Sequence, residues 1–399
     1  MDMRKIFFFI IVISTFSIRG FAQGRLEPTG EFPILAWWSI PESETSVERY
    51  KELKEAGINI SLTPFSSIEE AEKALDAAQK AGVKLQPVFP ELKSEPEKSA
   101  RRLMKHPALA GYHIIDEPHI GSFEELGAWV RKIQSVDNNH YCYINLLPMG
   151  ATHEPYTQHV DSFISTVPVP FISFDCYPIY RKDGELFLKD NWYHGLEIIS
   201  GAARKAGKPF WAFSLATAHF SYPIPNAAQI KLQIYSNLAY GAQGLQYFTY
   251  WTPEQGRDAD FHRGPIGLDF KRTEVFDYIR QINKEIQALS GVFLGARLVS
   301  VCHTGKQRPT GTRYIDKLPE PVKVLETSDG GAIVSVLEKG NRQFLVIVNR
   351  DFQRSMQLTL YTDEKVKKVL KDGVLVPVRD YTPTIYVEAG DAVIYTWTK

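Results

Sequence analysis

The chain reads as a (β/α)8 barrel followed by a small antiparallel β-sandwich. Three features of its 399 residues carry that reading. Between about residues 31 and 255, short apolar runs alternate with amphipathic helical segments, the pattern of a parallel sheet with crossover helices. Beyond residue 295 the apolar period drops to two, with turns such as Asp329-Gly330-Gly331 and Lys339-Gly340-Asn341. The run Gly111-Tyr-His-Ile-Ile-Asp-Glu-Pro118 stops abruptly at two carboxylates and a proline, a strand delivering acids to its C-terminal tip.

Eight strands are expected: 34–40, 58–63, 84–89, 111–117, 141–147, 171–177, 209–215 and 244–251. They are numbered one to eight below. Eight parallel strands close a barrel whose chemistry sits at their C-terminal ends. Helix starts are marked by Ser67-x-x-Glu70, Ser94-x-x-Glu97 and Ser122-x-x-Glu125, each with capping-box spacing. Gly57, Gly82 and Gly207 supply left-handed stops just before the next strand. Val47, Tyr50 and Leu53, and likewise Leu232, Tyr235 and Leu238, are faces that pack on the sheet. The last barrel helix runs over 271–290. Strands at 297–303, 321–327, 332–337, 343–349, 356–361 and 384–398 then build the sandwich, a lid or buttress for the barrel. The division is therefore 1–22, 23–293 and 294–399.

Residues 1–22 form a signal peptide: basic Arg4 and Lys5, an apolar run from Ile6 to Ile18, and Gly20-Phe21-Ala22 at the cleavage point. The run is short for a membrane span and no later stretch approaches one. The expectation is an exported, periplasmic or extracellular, soluble protein. With 46 basic and 46 acidic side chains, the composition offers nothing to nucleic acid or an anionic membrane. Cys142, Cys176 and Cys302 are too few for a disulfide framework, although they allow one pair. There is no His-Glu-x-x-His or His-x-His pair, no phosphate loop and no Gly-x-Ser-x-Gly elbow, so metal, cofactor and acyl-transfer chemistry are not expected.

Side chains alternate along a strand, which predicts what reaches the mouth. Strand one offers Trp37 or Trp38, of which only one stacks on a sugar while the other packs under a helix. Strand four gives Glu117, with Asp116 on the opposite face; strand five gives Asn145. Strand six gives Asp175 and then Tyr177, with Tyr180 beyond; strand eight gives Tyr250 or Trp251. The charged loop after strand eight adds Glu254 or Arg257. His113, one pleat below Glu117, is a hydrogen-bonded filler. Two acids, an amide and flat aromatic faces suit glycoside hydrolysis, which needs a carboxylic acid at the leaving oxygen and a second carboxylate.

The chain resembles the clan of (β/α)8 glycoside hydrolases that includes family 42 β-galactosidases and agarases. In that clan strand four ends in Asn-Glu-Pro, whose Glu is the acid/base; Glu117-Pro118 match and Asp116 replaces the Asn. Phe174-Asp175-Cys176-Tyr177-Pro178 resembles the Asp-x-Tyr-Pro ending of uncharacterised secreted members. Gly264-Pro-Ile-Gly-Leu-Asp269 leading to Ile282-Asn-Lys-Glu-Ile286 is similar to the clan's passage from barrel to β domain. The resemblance implies an exported glycoside hydrolase acting on a poly- or oligosaccharide. It breaks at strand seven, where the clan carries its nucleophile and Trp211 to His219 holds no carboxylate.

Glu117 as general acid and Asp175 as base or nucleophile then follow as expectations, with Glu117 kept protonated by its apolar strand and an ionised Asp175. A carboxyl separation of about 6.5–9.5 Å would mean inversion, the preferred outcome, and about 5–5.5 Å retention. Trp38, Asn145, Tyr177, Tyr180, Trp251 and Glu254 are the expected substrate contacts. The rival expectation is a glycan-binding or scaffold barrel that has lost hydrolysis.

Overall fold

The computed structural model describes residues 24–254, 260–378 and 383–399. The expected signal peptide and Arg257 lie outside these residues. All eight expected strands form: Ile34–Trp37, Ile60–Pro64, Lys84–Val88, Gly111–Asp116, Tyr141–Leu146, Ile172–Phe174, Phe210–Leu215 and Gly244–Phe248. They join as one parallel sheet in the cyclic order of the sequence, open only between strands three and four. That seam is closed by a bridge between Leu85 and Leu109, with the Leu85 amide donating to the Ala108 carbonyl and the Ala110 amide to the Leu85 carbonyl, 2.8 Å each.

The two faces of each strand divide as the pleat requires. Leu35, Trp37, Ile60, Leu62, Tyr143, Trp211, Phe213 and Leu215 fill the barrel interior. Ile34, Ala36, Tyr112, Ile114, Ile144 and Tyr247 meet the helices outside. His113 is an interior filler, edge-on to Trp37 at 5.3 Å, but not the hydrogen-bonded one expected: its Nδ1 is buried with no hydrogen-bond partner. Burial lowers its pKa to about 4, so it is neutral.

Helix punctuation is only partly as expected. Ser67 caps the helix Ile68–Ala81 by accepting from the Glu70 amide. Ser94 and Ser122 cap nothing. Pro96 at the first helical position moves one start past Ser94, and the Ser122 hydroxyl donates to the His119 carbonyl instead. The reciprocal capping box belongs to Asn226 and Gln229, at the start of Ala227–Ala239. Gly82 and Gly207 close their helices at φ 70° and 64°.

After Glu274–Ala288 and a short turn of helix at Ser290–Phe293, the chain enters the β domain. Six strands in the order 297–303, 332–339, 342–349, 392–398, 367–369, 375–377 form one sheet; 322–327, 356–362 and 384–387 form the other. The run expected at 384–398 is thus two strands in different sheets, broken at Gly390, φ 66°. The central strands are apolar on both sides because both sides are covered. Ile333, Leu337, Phe344, Val346 and Val348 belong to the barrel's core, while Val334, Val336, Leu345 and Ile347 pack toward the smaller sheet. The domain stands against the outer helix Ala227–Ala239, where Ser335 Oγ donates to the Ala239 carbonyl at 2.6 Å. It buttresses the barrel wall.

Candidate active site

A polar column rises through the barrel interior to the C-terminal rim. Tyr143 Oη donates to Gln246 Oε1 at 2.5 Å, and Gln246 Nε2 donates to Ser173 Oγ at 2.9 Å. Ser173 Oγ in turn donates to Asn145 Oδ1 at 2.9 Å. With its oxygen thus satisfied, Asn145 must present its amide nitrogen upward. That nitrogen donates to Asp175 Oδ1 at 2.9 Å and to Asp116 Oδ1 at 3.2 Å. Two carboxyl groups are therefore held on one amide, itself fixed by a network that begins deep in the barrel. The signal for this column was a set of polar residues, Ser173 and Gln246, inside apolar strands, and it was missed.

Asp116 reaches this cluster because strand four is irregular. Its register with strand five shifts between His113 and Ile115, after which Asp116 faces Asn145 directly. A bulge of this kind changes which face the following side chains meet. The expectation that Asp116 points away from Glu117's site is thus corrected. Glu117 follows at φ 47°, with its amide donating to the Asn145 carbonyl at 2.8 Å. A left-handed non-glycine residue at such a position is uncommon. Glu117 lies near enough to Asp175 for its charge to act on it. Asp116 and Glu117 are open to solvent at the mouth, whereas Asp175 is 7% exposed beneath them.

Three carboxyl groups this close cannot all ionise freely. Burial, then the charge of Glu117, pushes Asp175 well above the ordinary carboxylate range. Burial, with Glu117 again second, lifts Asp116 to about 6. Against the expectation of an ionised Asp175, burial and the charge of Glu117 both favour its protonated form.

Tyr177 is buried beside the acids and is pushed up by burial, Asp175, Asp116 and Glu117 in that order. Tyr156, from the helix Tyr156–Thr166, is pushed up by burial and by Cys176, Asp175 and Glu117. It was not anticipated, since nothing in a helix start marks a hydroxyl aimed at a strand tip. Lys189 was missed as well. Its ammonium donates to Tyr222 Oη at 2.7 Å. Burial opposes its charge, but Tyr222, Cys176 and Asp175 together raise its pKa.

Of the tryptophans, Trp38 is 46% exposed at the rim while Trp37 is 5% exposed. The partition is as expected, although Trp37 fills the barrel and does not lie under a helix. Trp251 is a correction. It is 4% exposed, packs 5.4 Å from Phe270 and lies under the guanidinium of Arg49 at 5.0 Å. The strand ends at Phe248, so parity no longer governs residue 251. Tyr250 is also buried, near Phe276. Tyr180 pairs with Phe187 across the hairpin Ile179–Lys182/Glu185–Leu188, and among the described residues no hydrogen bond or ring contact joins it to the acids. Glu254 is exposed on its loop, and no partner among the described residues ties it to the cluster. Cys142, Cys176 and Cys302 are free. Among the described residues no group of His, Cys, Asp and Glu could hold a metal ion, and no helix is long and apolar enough to cross a membrane.

The family model described as beta-galactosidase, glycoside hydrolase family 42, matches residues 128–289. No curated protein sequence matches the chain. Among solved structures, a beta-galactosidase from Bacillus circulans sp. alkalophilus superposes with a TM-score of 0.65 at 10% identity, covering 94% of this chain and 100% of its own. A catalytic mutant of a family 42 beta-galactosidase from G. stearothermophilus does so at 0.61, also at 10% identity, with the same coverage. A beta-galactosidase from the psychrophilic Marinomonas ef1 gives 0.48 at 11% identity, covering 65% of this chain and 60% of its own length. At such identities the structural likeness is one of fold. The family match runs from strand five's approach to the last barrel helix, less than half of the chain, and the closed barrel with the β domain behind it is similar in fold to those beta-galactosidases.

Proposed function

We propose that the protein, exported after loss of residues 1–22, hydrolyses an O-glycosidic bond of a poly- or oligosaccharide at the barrel mouth, with β-linked galactosides the first substrates to try. The observation that supports this most is the gathering of Asp116, Glu117 and Asp175 around Asn145 at the C-terminal rim. Glu117 is the general acid. Asp175 is the proton-holding partner that loads and orients it. Asp116, open to the mouth and ionised above about pH 6, is the second carboxylate that the substrate meets. This replaces the sequence-based pairing of Glu117 with Asp175 across a ring-sized gap. The two-carboxylate requirement is the same; the partner is different.

The test is release of reducing ends from a panel of β-galactosides and other β-linked oligosaccharides by the folded wild-type chain. Turnover of one member supports hydrolysis. A second reading, a glycan-binding barrel, is favoured by one feature: no carboxylate follows strand seven between Ala216 and His219. Glycan binding with no bond cleavage across the panel would establish it.

The mouth's aromatics give a prediction within this reading. Trp38→Ala is expected to raise KM roughly tenfold, the equivalent of about 1.4 kcal/mol, with kcat little changed, the signature of lost uniform binding. Trp251→Ala is expected to leave KM alone and cost about 3–5 kcal/mol of stability. Steady-state kinetics and urea denaturation of the two variants separate these outcomes; equal effects on KM would contradict the assignment of Trp38 to the rim and Trp251 to the wall.

A further inference from the structure

Beside the mouth, the hairpin after strand six and the β domain enclose a pocket of about 260 Å³, with Lys189, Asp190, Tyr193, Arg308, Thr310 and Arg350 in its lining. Its lining carries three cations and one carboxylate. Arg350 is largely buried, and burial depresses its pKa. Its Nη2 donates to the carbonyls of Thr304 and Gln307, at 2.7 and 3.1 Å. Its Nε is buried without a hydrogen-bond partner, and among the described residues no carboxylate pairs with it. Arg308 lies over the Tyr314 ring at 5.4 Å, and Lys189 bonds a tyrosine; neither forms an ion pair among the described residues.

The neighbouring pocket that shares Arg350 makes the contrast. There Lys306 is paired with Asp329 and Arg354 with Asp351, at 2.7 and 2.9 Å. In the present pocket three cations without an ion pair among the described residues converge against a single carboxylate, Asp190. A buried guanidinium without a counter-ion is costly, and planar bidentate recognition of carboxylate or sulfate is what a guanidinium does best.

Lys189 ties this pocket to the acids. It is sensitive to the charge of Asp175, and the tyrosine it bonds, Tyr222, packs 5.7 Å from Tyr177. A sugar chain leaving the mouth on that side would bring its substituents to Arg308 and Arg350. We infer that the Lys189–Arg308–Arg350 pocket binds a negatively charged group, a carboxylate or a sulfate ester, carried by an acidic oligosaccharide. The inference rests on the glycan-cleaving reading for its substrate class, though binding alone can decide it.

The experiment measures binding by calorimetry to the full chain carrying Glu117→Gln, to prevent turnover. The probes are trigalacturonate, a sulfated galactotriose and neutral galactotriose. At least tenfold tighter binding of one charged probe is expected, weakened by salt, and whichever probe gains it identifies the source of the charge. Adding Arg308→Ala or Arg350→Gln should abolish the gain while binding of the neutral probe stays the same. If the Arg350 variant fails to fold, Arg308→Glu decides in its place. Equal binding of charged and neutral probes, or a preference that survives the arginine substitutions, would overturn the inference. Cleavage of a neutral substrate without charge preference refutes this inference alone. Charge-selective binding by a wild-type chain that cleaves nothing refutes only the hydrolase reading.

Discussion

Glu117→Gln is expected to lower kcat/KM by roughly 10²–10⁴, the range for loss of a positioned acid or base, with the fold intact. The amide keeps the shape of the side chain but has no proton to give to a leaving oxygen. Asp116→Asn is expected to fall by a comparable factor, because Asp116 is the other carboxyl group open to the mouth. Asp175→Asn should cost less. Burial and Glu117's charge favour the protonated form of its carboxyl, so an amide preserves that form's hydrogen-bonding role and removes only its capacity to exchange a proton. The order Glu117 and Asp116 together, then Asp175, is what the steady-state measurement must return. A loss at Asp175 equal to that at Glu117, with Asp116→Asn unchanged, would restore the pairing expected from sequence.

The same groups set opposite signs for activity and stability. In activity, wild type should lose rate as pH falls through about 6, where Asp116 takes up a proton, and Asp116→Asn should lack that limb. In stability, Asp116 and Asp175 both have folded-state pKa values above the ordinary carboxylate value, so their folded forms bind protons more tightly than the unfolded chain does. Their unfavourable ionisation is absent at low pH, and stability is lost as pH rises through the folded values. Either Asn variant should therefore melt higher than wild type at pH 7 and match it near pH 4, a trade of stability for function.

The barrel was legible because each of its strands is a short apolar run ended by a turn or a cap, and because eight such runs admit one closure. Asn145 and Asp175 were legible by the same parity. Asp116 was not, because the bulge between His113 and Ile115 is a property of the pairing with strand five, and no residue in Gly111–Pro118 announces it. Trp251 failed for a related reason: the chain had already left the sheet at Phe248. Lys189 and Tyr156 come from a hairpin and a helix start whose positions over the mouth depend on the assembled barrel. Sequence alternation locates what strands present. It is silent about what loops bring back over them.

The β domain's attachment gives the second large effect. Asp391 lies between two lysines, its Oδ2 on Lys231 Nζ at 2.7 Å and its Oδ1 on Lys371 Nζ at 2.5 Å. Lys231 belongs to the barrel helix Ala227–Ala239, and Lys371 Nζ also donates to Tyr235 Oη at 2.6 Å. The turn that carries Asp391 is pressed on the same helix: a Cβ at Gly390 would stand 2.1 Å from the Ala228 carbonyl oxygen. Burial opposes the charge of Asp391, yet Lys371 and Lys231 hold its pKa below the usual value; burial depresses Lys371 despite the carboxylates beside it. Asp391→Ala would leave two ammonium groups facing each other with the shared anion gone. The expected cost is about 3–5 kcal/mol, as for breaking a buried pair on one side, read as a fall in the urea midpoint at pH 7. Since the folded pKa of Asp391 is depressed, its contribution is present above the unfolded value and lost as pH falls through the folded one, so wild type and variant should converge in acid. Lys371→Met in the Asp391→Ala background should recover part of the loss by removing one uncompensated charge. A variant as stable as wild type at pH 7, or a gap that persists unchanged below pH 3, would show that the two halves are held by apolar packing alone, through Leu337, Phe344, Val346 and Val348.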